Sequence, residues 1–371
     1  MSPEVFVAAL RRERLVDAGD MEGAPESLRV GVSQLSRSLC AAVERLAEDL
    51  YESECHFVYE VVQNAEDAHR RARPAAAGPS TLSLRIGGLG SGRSGAGYFV
   101  SESNEAGFTH ADVAAICDIS ASSKKKSSSG ATIGCKGIGF KSVFTVSNHP
   151  HVLSREFTFA FDVQGPLGKL GYVTPTWLAP ADLAALPPDV QKAHAAGLTV
   201  LYLPLKRPGL AAEIRHEMEQ LVDVGRATLL FLRQLEVIEL VPAGVQQVTL
   251  RRKLTSEHPE LAVVEEETSG RVTEHRYHVH RHSVRDPGDD APIDLALAFP
   301  FPPEVAQEAD ADGRTAKDPP RLEPIFCSLP VRIVGFGFAL HCGRFNLVAN
   351  RGDLHHGSPA NRAVRDALPG A

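Results

Sequence analysis

The segment Glu60-Val-Val-Gln-Asn64-Ala-Glu-Asp67-Ala68 holds the densest set of residues able to do chemistry. Glu60 and Asn64 stand four apart, so on a helix both project from one face, one turn from each other, and Asp67 follows three residues on. A carboxylate beside an amide oxygen suits a base that activates water next to an oxygen ligand for Mg²⁺. The same spacing also describes a solvated polar helix face with Phe57, Val58 and Val61 opposite. On these residues alone the two readings stand level.

A second segment, Ile133-Gly134-Cys135-Lys136-Gly137-Ile138-Gly139-Phe140-Lys141-Ser142, runs three glycines into a predicted helix. Such a turn exposes backbone N–H groups at the positive end of the helix and suits an anionic phosphate. It is equally a turn that lets a loop pack closely, and it lacks the Gly-Lys-Ser/Thr ending of a P-loop. Gly90-Ser-Gly92-Arg-Ser-Gly95 matches GxGxxG, but a strand follows where a dinucleotide site needs a helix. Two weaker segments are Ser103-Asn104-Glu105-Ala106-Gly107-Phe108, between a strand and a helix, and Gly197-Leu198-Thr199, which carries a hydroxyl into a buried strand. His278, His280 and His282 alternate along a predicted strand, a metal-ligand pattern that more often marks an exposed basic strand.

The elements that must position these residues follow from periodicity. Helices are predicted over 26–51 and 55–71, strands over 81–86 and 97–100, and a helix capped by Thr109 over 108–119. A Ser/Lys-rich stretch, 120–130, precedes the glycine cluster and a helix over 140–146. Strands are then expected at 151–153, 157–163, 171–173 and 198–203. A long helix, 211–232, opens a second block with strands at 235–240, 248–253, 262–267, 272–279, 295–298 and 332–340, and a last helix at 361–368. Strand runs with helices on one face make an α+β sandwich, not a doubly wound sheet. The organisation expected is a loosely held N-terminal arm (1–25), a first domain (26–205) and a second, smaller α/β domain (206–371). The last helix stops close to the end of the sequence, as in one part of a longer polypeptide.

Composition narrows the classes. The chain has 371 residues, with 39 Lys plus Arg against 46 Asp plus Glu, a formal charge of −7. That balance, with no long basic stripe, argues against general nucleic-acid binding. No apolar stretch approaches the ~18–20 residues of a membrane span, and the N-terminus lacks an apolar signal core. Six scattered cysteines without a CxxC pair read as reduced thiols of an intracellular protein, cytoplasmic or nuclear.

Taken in order, the four segments resemble the GHKL ATPases, the superfamily of DNA gyrase B, the ninety-kilodalton heat-shock chaperones, histidine kinases and MutL. Glu60-xxx-Asn64-Ala-x-Asp67-Ala is similar to the N box. Ser103–Phe108 falls where the adenine-contacting Asp-x-Gly-x-Gly motif belongs, Gly134–Ser142 resembles the Gly-x-x-Gly-x-Gly box, and Thr199 stands at the late threonine. Within the superfamily, Ile116-Cys-Asp118, Ser122-Ser-Lys124-Lys, Ile133–Phe144, Phe159-x-Phe-Asp162 and Phe345-x-Leu-Val-Ala-Asn-Arg351-Gly-Asp353 resemble sacsin-type and No Vein-type proteins. The resemblance covers roughly residues 30–370.

It implies a Bergerat-type α/β sandwich, an antiparallel-rich mixed sheet with helices on one face, followed by a transducer-like block. It also implies roles for particular residues. Glu60 would be the general base and Asn64 the Mg²⁺ ligand, while Asp67 would line the pocket. Ser103 or Asn104 would read the adenine in place of the aspartate, supported by Thr199. Backbone N–H groups of the Gly134-x-Lys136-Gly137-Ile138-Gly139-Phe140 run would hold the phosphates, with Ser123 and Lys124 on a lid. The activity implied is slow Mg²⁺-dependent ATP hydrolysis driving a conformational change, with chaperone-like handling of a protein client, no membrane partner, and room for a homodimer. The alternative is a nucleotide-sensing interaction module without significant turnover.

Overall fold

The computed structural model describes residues 1–14, 22–49, 57–71, 78–89, 95–118, 139–242, 244, 246–253, 260–288, 292–301, 323–327, 329–333, 337–347 and 353–368. The chain divides into two compact units, Met1–Glu219 with Ile238–Gln247, and Gln220–Val237 with Val248–Ala371. It is an α+β protein whose strands pair mostly antiparallel.

The first unit contains α1 (Pro3–Glu13), α2 (Glu26–Asp49), α3 (Phe57–Ala68), β1 (Thr81–Leu89), β2 (Ala96–Ser103) and α4 (His110–Ile116). A 3-10 turn (Gly139–Thr145), β3 (His151–Ser154), β4 (Phe157–Ala160), a second 3-10 turn (Gly168–Tyr172) and β5 (Thr176–Trp177) follow. Then come α5 (Pro180–Ala184), α6 (Pro188–Ala195), β6 (Thr199–Pro204), α7 (Leu210–Phe231), which continues into the second unit, and β7 (Val237–Val241). Strand order in this unit is β7-β1-β2-β6-β3-β4-β5. In β1, Leu82, Leu84 and Ile86 are buried and their neighbours are not, the period of two that lays one strand face on a core.

Register sorts the sheet into two faces. Leu82, Ser103 and Thr199 form one row, and Leu84, Ser101, Leu201 and Val152 the next. In the third row Ile86 meets Phe99, and Phe57 of α3 packs edge-on against Phe99 at 5.0 Å between ring centroids. On the opposite face Val100, Leu153 and Val200 bury against Leu186, Val190 and Ala193 from α6 and the turn before it. Arg85 on that face pairs with Asp189 of α6 and with Glu102. The expectation of helices on one face is therefore corrected: α3 covers one face and α6 the other. Residues 180–195 carry little apolar period because α5 and α6 are short, and each begins on a proline, where φ is already helical.

Three further expectations change. Residues 3–13 of the expected loose arm form α1, started by Ser2, whose side chain accepts from the Val5 N–H, and by Pro3. Val7 and Leu10 are buried, Phe6 meets the rings of His110 and Phe157 at 4.6 and 6.5 Å, and Arg14 Nη2 donates to the Cys117 carbonyl at 2.9 Å. The helix expected at 140–146 is the 3-10 turn, in which Ser142 Oγ donates to the Gly139 carbonyl at 2.6 Å. The strand expected at 171–173 is the end of the second 3-10 turn, where the Asp162 carbonyl approaches Gly171 so closely that no side chain would fit.

The second unit adds β8 (Val248–Lys253), β9 (Leu261–Thr268), β10 (Arg271–Val284), β11 (Ile293–Pro300), β12 (Pro324–Cys327), β13 (Leu329–Ile333), β14 (Ala339–Cys342) and α8 (Pro359–Ala367). Their order is β13-β12-β14-β11-β10-β9-β8, and β12–β14 pair parallel, which makes the sheet mixed. Ala227 and Phe231 of α7 pack on Tyr277, Val279 and Phe326, while Val364 of α8 packs with Leu295, Leu297 and Leu340. Among the described residues no helix is long and apolar enough to cross a membrane.

Candidate functional site

α3 lays its apolar stripe on the sheet: Phe57, Val58 and Val61 are buried, as is Glu60 at 3% exposure. Asn64, one turn beyond Glu60, is exposed at the helix surface, and Asp67 is buried beside Arg70, whose Nε lies 3.2 Å from Asp67 Oδ1. Beyond α3, the sheet residues Leu82, Ser101 and Leu201 and the α4 residues Asp112, Ala115 and Ile116 border the same space.

The space between is a cavity of about 490 Å³. Asn64, Ala65, Asp67 and Arg71 line it on one side, and Leu82, Ser101, Ser103 and Thr199 line it from the sheet. Glu105, Phe108, Asp112 and Ile116 close it from the β2–α4 connection and α4, with Phe140 on the wall. Five residues singled out by sequence, Asn64, Asp67, Ser103, Phe140 and Thr199, thus meet around one cavity although they come from four separate segments.

Glu60 is not on that lining. Its carboxylate lies against Gly139, where a Cβ would fall 2.3 Å from Glu60 Oε2. Asn104 also turns elsewhere: its Oδ1 accepts from the Thr81 N–H at 2.9 Å and its Nδ2 donates to the Pro79 carbonyl at 2.8 Å, fastening the start of β1. Ser103 Oγ faces the cavity and bonds His69 Nε2 at 3.0 Å. Ser123, Lys124, Gly134, Lys136, Gly137 and Ile138 lie outside the described residues.

Sequence reading missed the carboxylate at the heart of the cavity. Glu105, buried at 8% exposure, accepts from Thr199 Oγ1 at 2.6 Å on one oxygen and from the Gly107 N–H at 2.7 Å on the other. Gly107 has φ +85°, a left-handed backbone that glycine adopts without strain. A carboxylate cannot donate, so the Thr199 hydrogen belongs to Glu105, and Ser154 Oγ, 2.7 Å away, must donate to Thr199. Ser154 in turn accepts from the Phe108 N–H at 2.9 Å. The chain Phe108–Ser154–Thr199–Glu105 therefore runs in one direction and ends on an anion, an arrangement that fixes acceptors toward a ligand's N–H groups. Arg71 balances the charge, with Nη2 3.4 Å from Glu105 Oε2 and Nη1 2.5 Å from Asp112 Oδ2. Asp112 also completes the capping box with Thr109 at the start of α4. The available signal was the spacing Glu105-x-Gly107, one residue past Asn104.

Beneath the Phe140 wall, the side chain of Lys141 is buried. Its Nζ donates to the Ile116 carbonyl at 2.6 Å and the Tyr172 carbonyl at 2.7 Å, and lies 5.2 Å from the centre of the Phe161 ring. Burial pulls the ammonium down to about 8. The adjacent Cys117 thiol is pushed up to about 11 by its own burial. Among the described residues no group of three His, Cys, Asp or Glu side chains is placed to hold a metal, and His278 and His280 stand exposed on β10.

No protein-family model matches the chain. Among curated proteins, Protein NO VEIN of Arabidopsis thaliana is 30% identical over 340 residues, covering 89% of this chain and 11% of that protein. The chain is No Vein-like over almost its whole length and corresponds to a small part of that relative.

Proposed function

We propose that the first unit is a Bergerat-type nucleotide-binding domain of the GHKL superfamily that binds ATP with Mg²⁺ and hydrolyses it slowly. The observation that carries the reading is the shared cavity of Asn64, Asp67, Ser103, Phe140 and Thr199, residues drawn from four separate motifs of the sequence. The group fits the residues present. About 490 Å³ lies within the roughly 300–1,000 Å³ of small-molecule sites, Val61, Leu82, Ile116 and Phe140 offer apolar walls to a planar base, and the Glu105–Thr199 pair offers acceptors to an exocyclic amine. Glu105-Ala-Gly107 has the carboxylate-x-glycine spacing of the superfamily's adenine motif, so Glu105 takes the part expected of Ser103 or Asn104.

In this reading Asn64 supplies an amide oxygen to Mg²⁺, which needs only one or two protein oxygens beside phosphate and water. When bound, the ion neutralises phosphate charge. Glu60 orients and deprotonates water, a role for which its carboxylate is held by α3 and by the glycine at 139. The output would be a conformational change acting on a protein client.

Nucleotide sensing without useful turnover is favoured by one observation: Glu60 is buried against Gly139 and off the cavity lining. The experiment that decides is ATP binding and phosphate release on wild type beside Glu60→Ala and Asn64→Ala. Binding retained with hydrolysis abolished in Glu60→Ala supports the ATPase, tight binding with no wild-type turnover selects the sensor, and no binding at all rejects both.

A further inference from the structure

Apart from the nucleotide reading, the second unit brings two thiols together. β12 and β14 pair parallel, with Ile325 opposite Leu340 and Phe326 opposite His341. One step further in that register sets Cys327 beside Cys342. Side chains alternate as the pairing requires. Phe326 and His341 both meet the Phe231 ring, at 5.0 and 4.9 Å, whereas Ile325, Leu340 and Cys342 share the opposite apolar cluster with Cys327 packed against it. Adjacent strands run about 4.8 Å apart, within the Cα separation of about 4.4–6.8 Å that a disulfide spans. Both residues are thiols.

We propose that Cys327 and Cys342 are a thiol oxidation site that closes to an intrachain disulfide between β12 and β14 when a peroxide reaches it. The two sulfurs are not equivalent. Cys342 is fully buried, and burial, with Cys327 acting in the same direction, pushes its thiol up to about 12. Cys327 is half-buried, so it is the one that meets the oxidant. Its thiolate attacks a peroxide oxygen, the O–O bond breaks, and Cys327 becomes a sulfenic acid as hydroxide leaves and takes up the proton the thiol released, giving the first water. Cys342 sulfur then attacks the sulfenic sulfur. The S–O bond breaks, the departing hydroxide takes the Cys342 proton, and water and the disulfide remain. Two thiols are oxidised by two electrons and one peroxide is reduced to two waters.

The test is hydrogen peroxide treatment of the full chain, followed by digestion without reductant and mass spectrometry. The expected result is a cross-linked peptide pair holding Cys327 and Cys342, two hydrogens lighter than the separate peptides, with two of the six thiols lost and recovered with dithiothreitol. Cys342→Ser should trap sulfenic acid at Cys327 as a dimedone adduct, and Cys327→Ser should leave Cys342 unlabelled. Both peptides recovered as intact thiols, Cys327 joined to a different cysteine, or dimedone on Cys342 would each overturn the proposal. Mapping wild type needs no variant to fold.

Discussion

Gly139 and Glu60 occupy each other's space: a methyl group on Gly139 would fall 2.3 Å from Glu60 Oε2. The Glu60 carboxylate therefore occupies the space that any side chain at position 139 would need, and a larger residue there must push it aside.

Gly139→Ala should displace the Glu60 carboxylate and lower phosphate release toward that of Glu60→Gln. Loss of a general base typically costs about 10²–10⁴-fold. Nucleotide affinity should change far less, because Asn64, Ser103 and Thr199 stay in place. Stopped-time phosphate assays beside calorimetric ATP titration would show it, and an alanine variant with wild-type turnover would contradict the proposed role of Glu60.

Glu105→Ala removes the end of the Phe108–Ser154–Thr199–Glu105 chain and leaves Thr199 with no anion to donate to. Hydrogen bonds to charged groups contribute about 1.5–3 kcal/mol, so ATP affinity should fall by about 10–100-fold. Asn104→Ala should instead loosen the start of β1, lowering the unfolding midpoint while affinity holds. Equal loss of affinity in both variants would contradict the assignment of base reading to Glu105.

How much of this was legible beforehand depends on what each signal encodes. Motif spacing along α3 and apolar alternation in β1 are local properties, and Asn64 and Ser103, singled out from such signals, line one cavity. The carboxylate at Glu105 was passed over because its significance lies in a bond to Thr199, 94 residues away. Asn104 looked equivalent to Ser103 in sequence, but strand alternation turns its neighbour toward the cavity while Asn104 ties down β1. The helices at 180–195 have few residues and Pro-led starts, so periodicity had little to count. α1 was hidden for another reason: only Val7 and Leu10 are buried, too few to make a stripe.

Lys141 provides a titration with a definite sign. Its folded value, about 8, lies below the usual 10.5, and burial is the cause. The unfolded chain therefore holds the proton more tightly between these values. The stability this group confers is complete above 10.5 and is lost as pH falls through 8. Wild type should gain on the order of 3 kcal/mol relative to Lys141→Met across that window. Urea unfolding of both proteins at several pH values would measure it, and parallel curves would refute it.

His341 gives the corresponding acid limb. It stacks on Phe231 at 4.9 Å with planes 17° apart, and burial, then the charge of Arg233, lowers its value from 6.5 to about 4. Stability from the neutral ring is present above 6.5 and lost as pH falls through 4. His341→Phe keeps the stack and removes the titration, so the second unit should resist acid better than in wild type. Following near-ultraviolet circular dichroism from pH 7 downward would register the shift, and an unchanged acid midpoint would exclude His341 as a contributor.

The end of α4 is gripped by two cations that reach it from opposite directions in the chain. Arg14 donates to the Cys117 carbonyl at 2.9 Å and Lys141 to the Ile116 carbonyl at 2.6 Å. Consecutive carbonyls at a helix C-terminus carry partial negative charge, and each cation relieves one of them. Evolution should treat the pair as a unit: in homologous chains where position 141 loses its ammonium, position 14 should drift as well, along with the residues of α1 that hold it there. A helix 100 residues upstream in sequence then carries a hereditary signature of the cavity wall formed by Ile116.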